Sequence, residues 1–305
     1  MKPPRQNVEP IRQPTLFQME KLEEAATLPN TLAGDRPYSL PEILLGTSAF
    51  TAAGWEGSFY PPGMQSRDFL SYYATQFATV EVDSTFYGCP SARTVNNWAA
   101  RTPKDFIFSV KVPQIITHEK VLEDCAPEFE EFVTTMDLLG PKLGPMVFQF
   151  PSFDRSKFPK QDSFLAVLIP FLRKLPADRK FVVEIRNKKW LDAKFADVLR
   201  EQKVAVALTD TSFALRPWEM EEEFDLITAD FAYVRRLGDS KGIEKQTTTW
   251  DKPVVNRRED LSKWVELFRT FVARNLRIFA YANNHYAGHG PATVKLFWDL
   301  WNKKQ

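Results

Sequence analysis

Charged residues stand two positions apart inside segments whose other residues favour buried β-strands. In the stretch TVEVDSTFYG (79–88) these residues are Glu81 and Asp83, and in FVVEIR they are Glu184 and Arg186. Side chains two apart in a strand point to the same side, so each pair is directed at one place. Charges inside a strand are costly unless they are paired or hydrated. The spacing therefore indicates either a layer of internal ion pairs or a polar pocket.

The elements that carry these pairs alternate along the chain. Short apolar runs rich in β-branched and aromatic residues cover 42–48, 79–84, 106–112, 145–150, 181–186, 204–210, 231–238 and 277–283. Amphipathic or apolar helical patterns lie between them, most clearly at 67–77, 91–101, 127–140, 194–202, 258–275 and 291–301. Near-continuous apolar strands that alternate with helices are typical of parallel strands covered by helices. A doubly wound sheet would carry a glycine-rich phosphate loop after its first strand, and GTSAFTAAGW lacks that spacing. We predict an α/β fold, a single (βα)8 TIM-like barrel over residues 41–305.

Active sites of such barrels form at the carboxyl ends of the strands. The candidate catalytic residues at these ends are Glu184, Glu81, Asp83 and Asp210, with His118 on the loop after the third strand. The candidate substrate-binding residues are Lys111, Arg186, Arg235, Asn283, Asn284, Tyr87 and Gln149. An ion-pair layer contributes little to stability, so we interpret the set as a pocket.

The chemistry of this set suits an anionic substrate, because Lys and Arg bind phosphate and carboxylate groups. A carboxylate beside another charge can serve as general acid or base near neutral pH. Glu184 is the preferred candidate, since Arg186 beside it would hold the substrate in reach. A divalent ion bound by Glu81, Glu184 and Asp210 is a further hypothesis. There is no nucleotide-cofactor motif, and the histidines of NNHYAGHG fall in a predicted loop.

Composition sets broad limits. The chain has 305 residues, a net charge of +1 and two cysteines, Cys89 and Cys125, without metal-site spacing. The charge gives no global argument for nucleic acid. No segment approaches a membrane helix, and the first residues lack the apolar core of a secretory signal. We expect a cytoplasmic protein without a membrane partner.

Several motifs together resemble the YecE-like family, domain of unknown function 72. They are GTSAF with GWEGSFYPPGM, FLSYYATQFATVEVDSTFYGCPS, TPKDFIFSVKVPQIITHEK, VFQFP, FVVEIRNKKW, YVRRLG and YANNHYAGHGPATVKL. The resemblance runs from about residue 43 to 300 and implies a TIM-like barrel, but no settled reaction. Fold analogy relates the family to the endonuclease IV and xylose isomerase barrels. The residues that match its motifs are Glu81, Ser84, Thr85, Phe86, Tyr87, Lys111, Thr117, His118, Glu184, Arg186, Arg235, Asn283 and Asn284.

The sequence departs from the family pattern at two positions. The family usually has Asn where this chain has Asp83, which adds a negative charge to the pocket. The seventh strand of the family commonly reads YVRLHG, whereas this chain has Leu237 in place of the imidazole. A mechanism that depends on that histidine is in doubt for this protein.

Residues 1–40 are rich in proline and polar residues, and we predict a flexible arm. Within it, Gln13, Leu16 and Phe17 form Q-x-x-L-F, which resembles the peptide by which bacterial replication and repair proteins bind the DNA sliding clamp. Such motifs bind as extended segments whose apolar side chains fill pockets. Chance occurrence, or docking of Leu16 and Phe17 on the barrel, is the alternative explanation.

Two functions follow. The first is an enzyme, hydrolase or isomerase-like, that acts on a phosphorylated or otherwise anionic small substrate or on a nucleic-acid backbone, with clamp binding favouring the latter. The second is a non-catalytic ligand- or partner-binding module recruited through the arm. The polar segment 238–257 is long for a barrel loop and predicts a substrate lid.

Overall fold

The eight predicted strands are confirmed. The structure, a computed structural model, describes residues 36–38, 40–211 and 215–303. The strands are β1 Ile43–Thr47, β2 Thr79–Val82, β3 Ile107–Lys111, β4 Leu143–Gln149, β5 Phe181–Glu184, β6 Ala205–Thr211, β7 Phe231–Gly238 and β8 Arg277–Ala282. All pair in parallel in the order β1-β8-β7-β6-β5-β4-β3-β2. They form a nearly closed TIM-like barrel with the helices between them, as the alternation in the sequence predicts.

Ten α-helices lie in the described ranges. They are α1 Phe69–Gln76, α2 Ala92–Ala100, α3 Ala126–Met136, α4 Gln161–Leu172, α5 Ala193–Glu201, α6 Pro217–Met220, α7 Ser240–Glu244, α8 Arg258–Ala273, α9 Asn284–Ala287 and α10 Gly290–Trp301. Side chains cap several of them: Ser91 accepts the N–H of Thr94, and Asp192 accepts that of Phe195. Such caps satisfy backbone donors that a helix start leaves free.

The prediction of a loop over NNHYAGHG is wrong in part, because α9 occupies its first half. Asn283 caps this short helix by accepting the N–H of His285 at 2.9 Å. Gly288 then ends it at φ 104°, a conformation that glycine adopts without strain. The two histidines therefore belong to different elements, and His289 caps α10.

The first and last strands of the sheet order, β1 and β2, meet at a seam. A Cβ on Gly46 would lie 2.1 Å from the backbone oxygen of Thr79, so only glycine permits this approach. The hydroxyl of Tyr73, on α1, accepts the N–H of Thr47 at 2.8 Å and donates to the oxygen of Thr79 at 3.1 Å. A tyrosine hydroxyl thus joins the backbones of the two strands.

The barrel interior is layered along its axis. An apolar plug that includes Leu44, Val147 and Phe279 fills one end. Above it, the hydroxyl of Tyr281 bonds to Ser109 at 2.7 Å and to Thr79 at 2.8 Å. The charged side chains lie beyond this hydroxyl layer, toward the carboxyl ends of the strands. The plug and the hydroxyl layer thus form a packed floor beneath the charged side chains.

The chain already packs on the barrel before residue 40. Arg36 makes two 2.7 Å bonds to the carboxylate of Asp105, and the ring of Tyr38 lies 5.7 Å from that of Phe77. The boundary of the arm stays a prediction, and Gln13, Leu16 and Phe17 lie outside the described residues. None of the helices in the described ranges is both long and apolar enough to span a bilayer.

Segment 238–257 is anchored to the rest of the protein by two buried side chains, Ile243 and Trp250. It contains α7, and its Trp250 is 6% exposed, donates its backbone N–H to the oxygen of Ala53 and packs 4.7 Å from the ring of His285. The opening and closing of this segment as a lid stays a prediction.

Candidate functional site

Arg235 on β7 is the centre of the charged layer. Its Nε donates to Glu81 at 3.0 Å, its Nη2 donates to Asp83 at 2.8 Å, and its Nη1 bonds to Glu184. The side chain is 2% exposed. Three carboxylates from two other strands and the turn after β2 therefore converge on one guanidinium, which keeps its charge in the interior because each nitrogen is paired.

The pKa values of the acids follow from this arrangement. Burial raises the pKa of Glu81, and although Arg235 acts against this, the pKa stays above its usual value. The hydroxyl of Tyr233 also donates to Glu81, at 2.6 Å. Burial acts on Glu184 in the same direction, but attraction to Arg235 and Arg186 outweighs it and lowers the pKa of Glu184. Glu184 is therefore a carboxylate at neutral pH and suits the role of a base or charge stabiliser better than that of an acid.

A cavity of about 430 Å³ opens above the charged layer. Its size is that of a pocket for a small molecule. Its walls come from β3, β5, β6 and β7, from the segments that follow β2, β4, β5 and β8, and from α7 and α9. They comprise Asp83, Lys111, Ser152, Glu184, Ile185, Arg186, Thr209, Thr211, Arg235, Leu237, Gly238, Ser240, Asn283 and His285. Six predicted site residues are thus brought together at the carboxyl ends of the strands.

Lys111 is the last residue of β3, and its side chain lines this cavity. Its Nζ lies 3.9 Å from the centre of the Phe86 ring, and within the described chain it makes no ion pair or hydrogen bond. Burial is the largest effect on the Lys111 amine and lowers its pKa, and the positive charge of Arg235 acts in the same direction. This lysine is consequently a buried amine without a fixed partner.

Arg186 lies at the mouth of the cavity, and its side chain is 53% exposed. Its Nε approaches Glu184 at 3.3 Å. Its two terminal nitrogens, Nη1 and Nη2, have no partner among the residues that the structure describes. Arg186 therefore presents a free pair of donors to whatever occupies the cavity.

The prediction that Asp210 belongs to the site is wrong. Asp210 is on the outer side of β6, where it accepts hydrogen bonds from Trp264 at 3.0 Å and Tyr286 at 2.7 Å and pairs with Arg216. Side chains alternate along a strand, so the neighbours Thr209 and Thr211 face the cavity instead.

The hypothesis of a divalent ion held by Glu81, Glu184 and Asp210 fails with it. The first two acids bond to Arg235, which lies between them, and the third lies on the opposite side of the sheet. In the described ranges, no group of three or more His, Cys, Asp or Glu side chains is arranged to hold a metal ion.

Asn284 also lies outside the cavity. It accepts hydrogen bonds from the indole of Trp55 at 3.1 Å and from the N–H of Gly290 at 2.8 Å, which fixes the start of α10. Asn283, in contrast, lines the cavity, donates to Ser48 at 2.8 Å and accepts from His285. The structure therefore separates two adjacent asparagines that the sequence assigns to one role.

Three further predicted residues flank the cavity without lining it. His118 packs behind Phe86 at 4.9 Å, and burial lowers its pKa to about 4, so its imidazole is neutral. Gln149 is buried and donates to the oxygen of Phe150 at 3.0 Å. Tyr87 is 58% exposed on the short 3-10 turn after β2. As placed, none of the three contacts the space in which a ligand would bind.

Sequence reasoning missed several wall residues. It also missed Tyr233, which does not line the cavity but donates to Glu81 in the charged layer. Tyr233 is two positions before Arg235 on β7, so the same alternation that pairs Glu81 with Asp83 would have found it. Thr209 could have been found in the same way on β6. Ser152, by contrast, is on the irregular segment after β4, and Ser240 begins the short helix α7, so only the fold brings them to the cavity.

The fold and the site define a class: a TIM-like barrel protein whose charged cavity opens at the carboxyl ends of the strands. The chain belongs to the family described as protein of unknown function DUF72, whose family model matches residues 44–305. This agrees with the resemblance seen in the sequence motifs.

Relatives of known name and structure agree with this assignment. The UPF0759 protein YecE of Escherichia coli K12 is 33% identical over 121 residues, which is 40% of this chain and 42% of YecE. The UPF0759 protein YunF of Bacillus subtilis is 31% identical over 150 residues, 47% of this chain and 51% of YunF. The chain thus matches about half, or less, of the length of these relatives.

Solved structures match over more of the chain. A DUF72 family protein of Thermotoga maritima superposes with a TM-score of 0.66 at 25% identity, and the match covers 84% of this chain and 97% of that one. A DUF72 family protein of Enterococcus faecalis gives a TM-score of 0.59 at 19% identity, and the match covers 86% of this chain and 98% of that one. The latter likeness shows the fold alone.

Proposed function

We propose that the cavity is the active site of an enzyme that acts on a small anionic substrate. The observation that carries this proposal is the contrast between two arginines. Arg235 is saturated by three carboxylates, whereas Arg186 presents two unpartnered nitrogens to the cavity. A planar pair of N–H donors matches the oxygens of a phosphate or carboxylate group.

The roles of the other residues follow from their positions. Glu184, ionised beside the mouth, is the base or charge stabiliser, and Asp83, whose side chain is 15% exposed, is the second carboxylate within reach of a ligand. Asn283 and Lys111 supply further polar contacts. Glu81 is completely buried and acts through Arg235 as a positioning residue rather than by touching substrate.

Ligand-dependent melting tests the binding step. Inorganic phosphate, pyrophosphate and pyruvate are added separately, and a ligand at a hundred times its Kd should stabilise the protein by about 2.7 kcal/mol. Arg186→Gln should abolish the rise in Tm. Arg155→Gln is the matched control, because Arg155 is exposed on the loop after β4 and does not line the cavity. Equal shifts in the two variants, or none in the native protein, would contradict the proposal.

The alternative is a non-catalytic ligand- or partner-binding module. Once a ligand is known, Glu184→Gln separates the two functions, because an enzyme should lose turnover at nearly unchanged affinity while a binding module should change affinity alone. Release of 4-nitrophenolate from bis(4-nitrophenyl) phosphate is a direct assay for phosphodiester chemistry.

Recruitment to DNA through the arm is a separate part of the proposal. It rests on the Q-x-x-L-F spacing of Gln13, Leu16 and Phe17. A labelled peptide of residues 8–22 should bind a bacterial sliding clamp by fluorescence polarisation, and the Leu16→Ala, Phe17→Ala peptide should not. Equal signals from both peptides would remove the sequence argument for nucleic acid.

A further inference from the structure

The backbone of Lys111 is anchored by the hydroxyl of Thr85. The hydroxyl of Thr85 accepts the N–H of Lys111 at 3.0 Å and donates to its carbonyl oxygen at 2.6 Å. Thr85 lies on the 3-10 turn that follows β2, so the turn and β3 are joined at this residue. The side chain then extends over the ring of Phe86 into the cavity.

The surroundings of this amine are unusual for a lysine, since the nearby acids are used elsewhere. Asp83, Glu81 and Glu184 all bond to Arg235, and none comes within 4.0 Å of the Lys111 nitrogen. Lysine side chains are almost never this deeply buried without a partner. Burial in such a site, with a second cation nearby, lowers the pKa of the amine and increases the share of the neutral form, which is the nucleophile.

The charges that face Lys111 act in both directions on its pKa. Burial is the largest effect and lowers it, and Arg235 adds to the decrease. Three carboxylates oppose the decrease and are, in order of effect, Asp83, Glu184 and Glu81. His118, from the loop after β3, is neutral and leaves this balance unchanged. The net result is a pKa below the usual value for lysine.

We propose that Lys111 forms an imine with the carbonyl carbon of a small anionic aldehyde or ketone, and this inference rests on the proposed function because Arg186 holds the anionic group. The amine nitrogen attacks the carbonyl carbon, and a C–N bond forms while the C=O bond becomes a hydroxyl. The hydroxyl then leaves as water, and a C=N bond remains. No oxidant or reductant takes part.

The cavity wall provides the proton transfers. A carboxylate of the wall, Asp83 or Glu184, accepts the proton that the attacking nitrogen loses and returns it to the departing hydroxyl. One further proton from solvent gives the iminium. Its positive charge remains over the ring of Phe86, which stabilises a cation at this distance. The iminium draws electrons from the adjacent carbon, so bond cleavage or proton removal at that carbon is the class of reaction that it supports.

Reductive trapping tests the imine on the full-length protein. The probes are glyoxylate, pyruvate and glyceraldehyde 3-phosphate, each with sodium cyanoborohydride, and adducts are located by peptide mass spectrometry. Lys142 is the internal control, because it is also partly buried with a lowered pKa but its amine donates to the oxygen of Thr102 at 2.7 Å. The expected result is at least one probe that modifies Lys111 far more than Lys142 at neutral pH, with loss of that adduct in Lys111→Arg.

Acetone, a neutral carbonyl compound, and the melting measurement together distinguish imine formation at Lys111 from anion binding by Arg186. Acetone should react at Lys111 equally in the native protein and in Arg186→Gln, whereas the anionic probes should lose occupancy in the variant. No preference for Lys111 with any probe, while these probes still raise Tm through Arg186, would overturn the imine and leave the proposed function intact. The absence of both effects would overturn both.

Discussion

Asp83 accepts a hydrogen bond from Nη2 of Arg235 at 2.8 Å. An asparagine oxygen could accept the same bond. The aspartate adds a negative charge, and among the charges that oppose the decrease of the Lys111 pKa, Asp83 has the largest effect. The charge of Asp83 therefore raises the pKa of an amine on the neighbouring strand, β3.

The first prediction follows from this relationship. Asp83→Asn should lower the pKa of Lys111 further, because it removes the charge that favours the ammonium form while it keeps the bond to Arg235. The measurement is an NMR titration of the reductively methylated, isotope-labelled lysine. Asp299→Asn, on the exposed side of α10, is the control and should leave the titration unchanged. A pKa that rises or stays constant in Asp83→Asn would show that this carboxylate does not act on Lys111.

The second prediction concerns the buried guanidinium. Arg235→Met should destabilise the protein by about 3–5 kcal/mol, because it leaves Glu81 and Glu184 buried without their partner. Arg236→Met is the matched control on the same strand. Arg236 is equally buried, and its guanidinium lies 4.7 Å from the ring of Phe297. The side-chain nitrogens of Arg236 have no polar partner in the described residues, so its replacement leaves no carboxylate without a partner. Urea denaturation gives both values, and equal losses would contradict the importance of the carboxylate cluster.

The third prediction concerns the seam of the barrel. Tyr73→Phe removes the hydroxyl that joins the backbones of β1 and β2 and leaves the N–H of Thr47 without this acceptor. We expect a loss of about 1–3 kcal/mol, the usual cost of an unsatisfied buried group. Tyr72→Phe, one residue earlier on α1, removes a hydroxyl that makes no hydrogen bond in the described chain and should cost far less. Similar unfolding free energies for the two variants would show that the seam holds without Tyr73.

The fourth prediction is a pH dependence that arises at His289. Burial lowers its pKa to about 4, and its Nδ1 accepts the N–H of Ala292 at 3.0 Å, which requires the neutral ring. In the unfolded chain the pKa is about 6.5, so the unfolded state binds the proton first as the pH falls. The contribution is fully present above pH 6.5 and is lost toward pH 4, with a total of about 3 kcal/mol.

His289→Asn tests the origin of this slope, because asparagine caps a helix without titrating in that range. The unfolding free energy of the variant should vary less between pH 6.5 and 4 than that of the native protein. Ser58→Ala, which removes the 3.3 Å partner of the other ring nitrogen, should keep the native slope. An unchanged slope in His289→Asn would assign the pH dependence to other groups.

Sequence periodicity determined much of the architecture. Eight apolar runs with helical patterns between them permit few arrangements other than parallel strands covered by helices. The motifs around Glu81, Lys111, Glu184 and Arg235 also indicated the residues of the charged layer, because position and alternation along a strand are properties of sequence. Where alternation was not applied, as at Asp210, the prediction was wrong.

The tertiary structure decided what each charge does. Sequence spacing does not show that Arg235 bonds to three carboxylates while Arg186 keeps two nitrogens without a partner in the described residues. This difference depends on which side chains of the strands and of the turn after β2 meet across the barrel. It also cannot separate Asn283 from Asn284, which differ only in the direction of their side chains at the start of α9. Local patterns fix the strands and the faces of their residues, but pairing and burial arise from residues that are distant in the chain. These long-range contacts make Lys111 an unpartnered amine at the end of a cavity.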